Sequence, residues 1–149
     1  MVFFSACATT PKFTTNEAAN QFVKAINQND VQVLLKLSDS PFYIHNHQWE
    51  SAEDGYGFVL GKRDQMIFKD NEKLSIYMNI LSRKLKIDSV DGEYIPVAEY
   101  SRFHDELGGA LEWESQDVFL FLRGMGDIEH IVILGVNRKT KKIKQLYFN

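Results

Sequence analysis

From Thr15 onward the apolar residues recur with a helical period: Ala19, Phe22, Val23 and Ile26 stand at i, i+3, i+4 and i+7 and share one face. Thr15 or Asn16 is placed to cap this helix, and Glu17 lies in its first turn, where a carboxylate meets the positive end of the helix dipole. The helix is expected to end at Asn27-Gln28-Asn29. Asp30 then caps a shorter helix with the stripe Val31, Leu34, Leu35 and Leu37, which stops at Ser38-Asp39-Ser40-Pro41. From Phe42 the period falls to two. Phe42 to Trp49 reads as a strand, Ser51 to Gly55 as a turn and Tyr56 to Leu60 as the return strand. Arg63 to Lys84 returns to helical spacing, with Ile67, Leu74, Tyr77, Met78 and Leu81 on one side. Strands are then expected at Leu85 to Val90, Tyr94 to His104, Leu111 to Arg123, Ile128 to Val136 and Lys142 to Phe148. Asp91-Gly92, Gly124-Met125-Gly126 and Asn137 to Lys141 supply turns between them.

Two of these strands are apolar on both faces: Val118, Leu120 and Leu122 alternate with Phe119 and Phe121, and Val132, Leu134 and Val136 alternate with Ile131 and Ile133. Such strands lie in the middle of a sheet covered on both sides. Three helices cover one face, so the second cover is expected from a homodimer, or from a curved sheet folding over itself.

The 149 residues, 44% hydrophobic and 25% charged, fit one globular domain over 15–149, preceded by a Thr-rich tail over 1–14. No run approaches the ~20 apolar residues of a membrane-spanning helix. The net charge of -3 argues against a nucleic-acid partner. Five of the 17 basic residues, Arg138, Lys139, Lys141, Lys142 and Lys144, crowd the last turn. That tip is either solvated or touches anionic lipid headgroups or an acidic partner.

The sole cysteine closes the run Phe4-Ser5-Ala6-Cys7 ahead of the polar stretch Ala8-Thr9-Thr10-Pro11-Lys12. This run resembles a bacterial lipobox, which implies a thioether-linked diacylglycerol on Cys7 and a membrane partner reached through that anchor. A secretory signal needs an apolar stretch of roughly 7–15 residues before its cleavage site. The reading therefore expects a start further upstream, with Val2 to Phe4 as the tail of a longer apolar region. The localisation it implies is the bacterial cell envelope; if Cys7 is instead an ordinary thiol, the domain is cytoplasmic.

Ala18-Ala19-Asn20-Gln21-Phe22-Val23-Lys24-Ala25-Ile26-Asn27-Gln28-Asn29-Asp30-Val31 is similar to the first two helices of SnoaL-like domains, and Gly61-Lys62-Arg63-Asp64 looks like the glycine before their third helix. With the order of elements over 15–149, the chain resembles the nuclear-transport-factor-2-like superfamily. The resemblance implies an α+β fold: a cone-shaped, bent antiparallel sheet wrapped around three helices, with an apolar pocket at its open end and dimerisation through the sheet. Ketosteroid isomerases of that superfamily carry a tyrosine on the first helix and a carboxylate on an early strand. Neither stands here, so that chemistry is disfavoured.

Candidate chemistry lies in Tyr43-Ile44-His45-Asn46-His47-Gln48-Trp49. Alternate residues of a strand share a face, which lines up Tyr43, His45, His47 and Trp49. Two imidazoles so spaced could ligate a metal if His104, Asp105, Glu112 or Glu114 supplied a third ligand; pocket lining is the plainer reading. Tyr94, Ala98, Tyr100, Arg102 and His104 would share one side of their strand, and Trp113 would continue the side of Phe119 and Phe121. His104 and Asp105, as neighbours on a strand, would point to opposite faces. An aromatic enclosure with few polar heads suits a small apolar ligand. No cofactor motif is present.

These patterns point first to a non-catalytic domain that binds a small apolar ligand or a protein partner. The alternatives are a SnoaL-like enzyme using His45, His47 or His104 as base with Tyr43 or Tyr100 as donor, and an assembly module that pairs through its sheet.

Overall fold

A computed structural model of the chain describes residues 12–107, 112–125 and 129–149; Cys7 lies outside them. Helix α1, Thr15–Asn27, opens on a reciprocal cap one residue earlier than expected. Thr14 Oγ1 accepts from the Glu17 N–H at 3.1 Å, and the Glu17 carboxylate accepts from the Thr14 N–H at 2.7 Å. Its buried stripe is Ala18, Ala19, Phe22, Val23 and Ile26. Asp30 caps α2, Val31–Leu37, by accepting from the Val33 N–H. No loop follows. Strand β1, Ser38–Ser51, starts at once and takes in the residues expected to stop the helix.

The second strand differs more. β2 is Phe58–Phe68 and pairs antiparallel with β1 from Phe42 opposite Phe68 to Ser51 opposite Phe58. Arg63 to Phe68 is therefore strand and not the start of the long helix. Helix α3, Asn71–Lys84, begins where Asp70 caps it by accepting from the Glu72 and Lys73 N–H groups. Leu85 to Val90 is irregular. The Asn27 side chain plays the part of a strand there, donating to the Ile87 carbonyl at 2.8 Å and accepting from its N–H at 2.9 Å. The expected strand from Tyr94 to His104 is only β3, Glu93–Ile95. Pro96 ends it, because proline has no N–H to give a ladder. A 3-10 helix over Val97–Phe103 and helix α4, His104–Leu107, follow, then a second 3-10 turn over Trp113–Ser115. β4, Gln116–Met125, β5, Glu129–Asn137, and β6, Ile143–Phe148, complete the sheet.

The α+β class is as expected, and the sheet corrects the detail. Its order is β2-β1-β6-β5-β4-β3, open at both edges and not wrapped into a cone. It is mixed and not antiparallel, because β1 runs parallel to β6. Both faces of the central strands are buried, as their composition predicts. Phe119, Phe121, Val132, Leu134, Leu146 and Phe148 pack with α1, α2 and α3. Val118, Ile131, Ile133 and Tyr147 pack on the other side with Ile95, Phe103, Leu107 and Trp113. The second cover is thus supplied within the chain by residues 97–107 and 112–115, which form a roof over the face that raised the expectation of a homodimer.

Candidate functional site

The roofed face holds the polar residues of the two strands that meet in parallel. Phe42 and Ile44 of β1 point into the helix-side core, so the intervening positions face the roof. His45 is 6% exposed and His47 4%. On β6, Gln145 and Tyr147 alternate with the core residues Leu146 and Phe148, and His45 pairs with Tyr147 in the ladder. His45 Nε2 lies 3.0 Å from Gln145 Oε1, so the neutral ring carries its proton on Nε2 to donate there. Its ring is 5.9 Å from that of Trp113. The His47 ring meets the Tyr147 ring edge-on, with centroids 4.7 Å apart. Trp49 follows a β-bulge between Gln48 and Trp49 that re-aims the strand at its end.

Burial sets the charge state of this group. It depresses the His45 pKa, an effect partly offset by the hydrogen bond to Gln145. His47 is pushed down to about 4, first by burial, then by the Arg63 guanidinium and His45, with Asp105 opposing. Tyr147 is raised, first by burial and then by the nearby charge of Glu106, while a hydrogen bond from the Trp49 indole N–H acts the other way. Glu106 on α4 is half-buried, and burial raises its own carboxyl. The result is a set of neutral rings, two histidines and a phenol, with a carboxyl above them in the roof.

Several buried polar atoms here lack a well-formed hydrogen bond: His47 Nδ1, Trp113 Nε1, Gln116 Oε1, and the Trp49 Nε1 and Tyr147 hydroxyl, which face each other. Buried polar groups are nearly always satisfied, so such a concentration on one face is a functional signal. A groove of about 560 Å³ runs beside it, lined by Trp49, Phe103, Leu120 and Ile131 and by the charged Glu93, Arg102, Glu106 and Glu129. Trp113 and Gln116 can lie flat on β5 because residue 135 is glycine. A Cβ there would stand 2.0 Å from Gln116 Oε1 and 2.9 Å from Trp113 Cζ3.

Of the residues expected in the site, His45, His47, Trp49 and Trp113 come together. Tyr43 shares their face but sits at its outer end, half-buried, with the Lys144 ammonium 5.7 Å from its ring. Tyr100 and His104 are not on a strand. The Tyr100 hydroxyl donates to the Gln116 carbonyl at 3.0 Å, which ties the roof to β4, and burial raises its pKa to about 12. His104, with its side chain 86% exposed, points away; helical geometry puts its Nδ1 3.5 Å from Asp105 Oδ1, where a strand would have separated them. Trp113 lies with Val118, opposite Phe119 and Phe121, because the 3-10 turn before Gln116 breaks the alternation. Among the described residues, no three His, Cys, Asp or Glu stand close enough to share a metal ion.

Sequence reasoning missed Tyr147, Gln145, Gln116 and Glu106. Gln145 and Tyr147 did leave a sign: polar groups alternating inside an otherwise apolar final strand.

No family model matches the chain, and no curated protein matches it. Solved structures similar to it include a nuclear-transport-factor-2-like protein of unknown function from Cytophaga hutchinsonii. The two are 12% identical with a TM-score of 0.49 over 95% of this chain and 92% of that one. Another is a protein of unknown function with a cystatin-like fold from Methylobium petroleophilum, 9% identical with a TM-score of 0.45 over 91% of this chain and 74% of that one.

Proposed function

We propose that the domain binds a small, largely apolar molecule carrying acceptor oxygens, in the groove between the second sheet face and its roof. The observation that carries this reading is the group of buried polar atoms without partners. Two of them, the Trp113 N–H and the Tyr147 O–H, are donors without an acceptor, while the Trp49 N–H is directed at the Tyr147 oxygen. A carbonyl, ether or hydroxyl oxygen satisfies such donors, while Phe103, Leu120 and Ile131 take the apolar body. Binding is favoured over proton transfer. A general base works best with a pKa near the operating pH, and burial holds His47 at about 4, well below neutral.

The test uses the protein's own probes. Trp49 and Trp113 are its only tryptophans, so indole emission reports on this site alone. Native mass spectrometry of the purified chain, followed by fluorescence titration with hydroxylated and keto aromatic compounds, should give a retained mass or a saturable change in emission. That change should be lost in Tyr147→Phe/Trp49→Phe. No retained mass and no saturable change across the set would overturn the reading.

The same proposal places the domain at the bacterial envelope through an acyl chain on Cys7. Labelled-palmitate uptake by the gene expressed with its upstream region, compared with Cys7→Ser, tests it; equal labelling would sink the anchor and leave the binding site standing.

A further inference from the structure

We propose that the end of the domain where residue 12 enters α1 is a docking surface for an anionic lipid bilayer. The proposal rests on the envelope reading above and adds an orientation to it. The described chain begins at Lys12, and Phe13, 38% exposed, lines a groove of about 390 Å³ together with Val33, Lys36, Leu37, Lys141 and Lys142.

The structure divides the five basic residues of the last turn. Arg138, though exposed, is engaged, donating to Asp117 Oδ1 at 2.9 Å and to the carbonyls of Glu114 and Gln116. Lys144 lies over Tyr43 on the roofed side. Lys139, Lys141 and Lys142 remain at the tip, joined by Lys36 from the end of α2 and by Lys12. Among the described residues these five lysines take part in no ion pair. The acids beside them are engaged: Asp39 accepts from Asn137 Nδ2 and Thr140 Oγ1, and Glu17 holds the Thr14 N–H.

Unpaired lysines around an exposed aromatic are the mix that settles at a headgroup boundary. The position of the chain's exit selects a bilayer over a soluble acidic protein. Cys7 precedes Lys12 by five residues, a covalent reach of at most ~17 Å. An acylated Cys7 would thus hold the patch within about two Debye lengths of the lipid surface at physiological salt.

The experiment removes the anchor and reads the patch alone. The full chain carrying Cys7→Ser is sedimented with vesicles of phosphatidylcholine, or of phosphatidylcholine with roughly a third phosphatidylglycerol, at low and high salt. Binding to the anionic vesicles should exceed binding to the neutral ones at least ~tenfold and collapse at high salt. Lys139→Glu/Lys141→Glu/Lys142→Glu should abolish that preference. Lys62→Glu/Arg83→Glu/Lys84→Glu, with the same net charge but at the opposite end of the sheet, beside Gln48 and Phe148, should retain it. Equal partition into both vesicles would overturn the proposal, as would equal loss in both triple variants. Because no lipid is attached in this assay, its outcome is separate from that of the palmitate labelling.

Discussion

His47 couples the site to pH, and the sign follows from its surroundings. Its folded pKa of about 4 lies below the ordinary 6.5, so between those values the unfolded chain binds more protons than the folded one. Stability is then full above pH 6.5 and falls as pH drops toward 4, by up to about 3 kcal/mol if His47 acts alone; His45, shifted in the same direction, steepens the slope. Urea midpoints measured from pH 7.5 down to 4 should show this loss, and His47→Leu should flatten it. A wild-type midpoint that does not change across that window would mean both rings find water in solution. Gly135 is the second residue on which the site depends. A methyl at that position has to displace Trp113 or Gln116, both buried, so Gly135→Ala should cost about 1–3 kcal/mol. It should also shift tryptophan emission to the red, and an unchanged spectrum would show that the roof has room to spare.

At the scale of elements, what could be read from the sequence and what could not separate by cause. Helices α1 and α2 were legible because capping side chains and a 3.6-residue period agree there. Asp70 was equally a cap, followed by Glu72, but Arg63 to Phe68 mixes charged and apolar residues in a way that fits either period. The strand wins because it extends the ladder against β1 to Phe68. Replacing the cap isolates that boundary: Asp70→Ala leaves the Glu72 and Lys73 N–H groups unpaired and should lower stability by about 1 kcal/mol, read from the urea midpoint. Beyond β3 the decisive residue was Pro96, which stands inside the run read as one long strand. Past it Tyr100 and Glu106 move into a roof that alternation alone does not foresee. Half of the site was therefore visible, namely His45, His47 and Trp49 on β1 with Trp113 from the roof. Its other half comes from β6 and the rest of the roof, whose registers against β1 are set by tertiary packing.

Across the whole molecule the two faces of the sheet are unequally secured. The helix side is one large core shared by α1, α2, α3 and all the long strands except the edge strand β2, which adds only half-buried Met66 and Phe68. The roof side holds fewer apolar residues, several buried polar atoms without partners, and few ties to the sheet, one of them the Tyr100 hydroxyl on the Gln116 carbonyl. Regions with few apolar contacts open before the rest of a fold. Amides of 97–107 should thus exchange with solvent well before those of β4, β5 and β6 under native conditions. Tyr100→Phe, which removes one hydrogen bond worth about 1 kcal/mol, should speed that exchange about fivefold and leave β5 and β6 unchanged. A ligand that satisfies Trp113 and Tyr147 also bridges sheet and roof, so its binding should slow the same amides. If roof and central strands exchange together, the roof belongs to the global folding unit, and a ligand would have to enter through the groove at Trp49 and Phe103 without any opening.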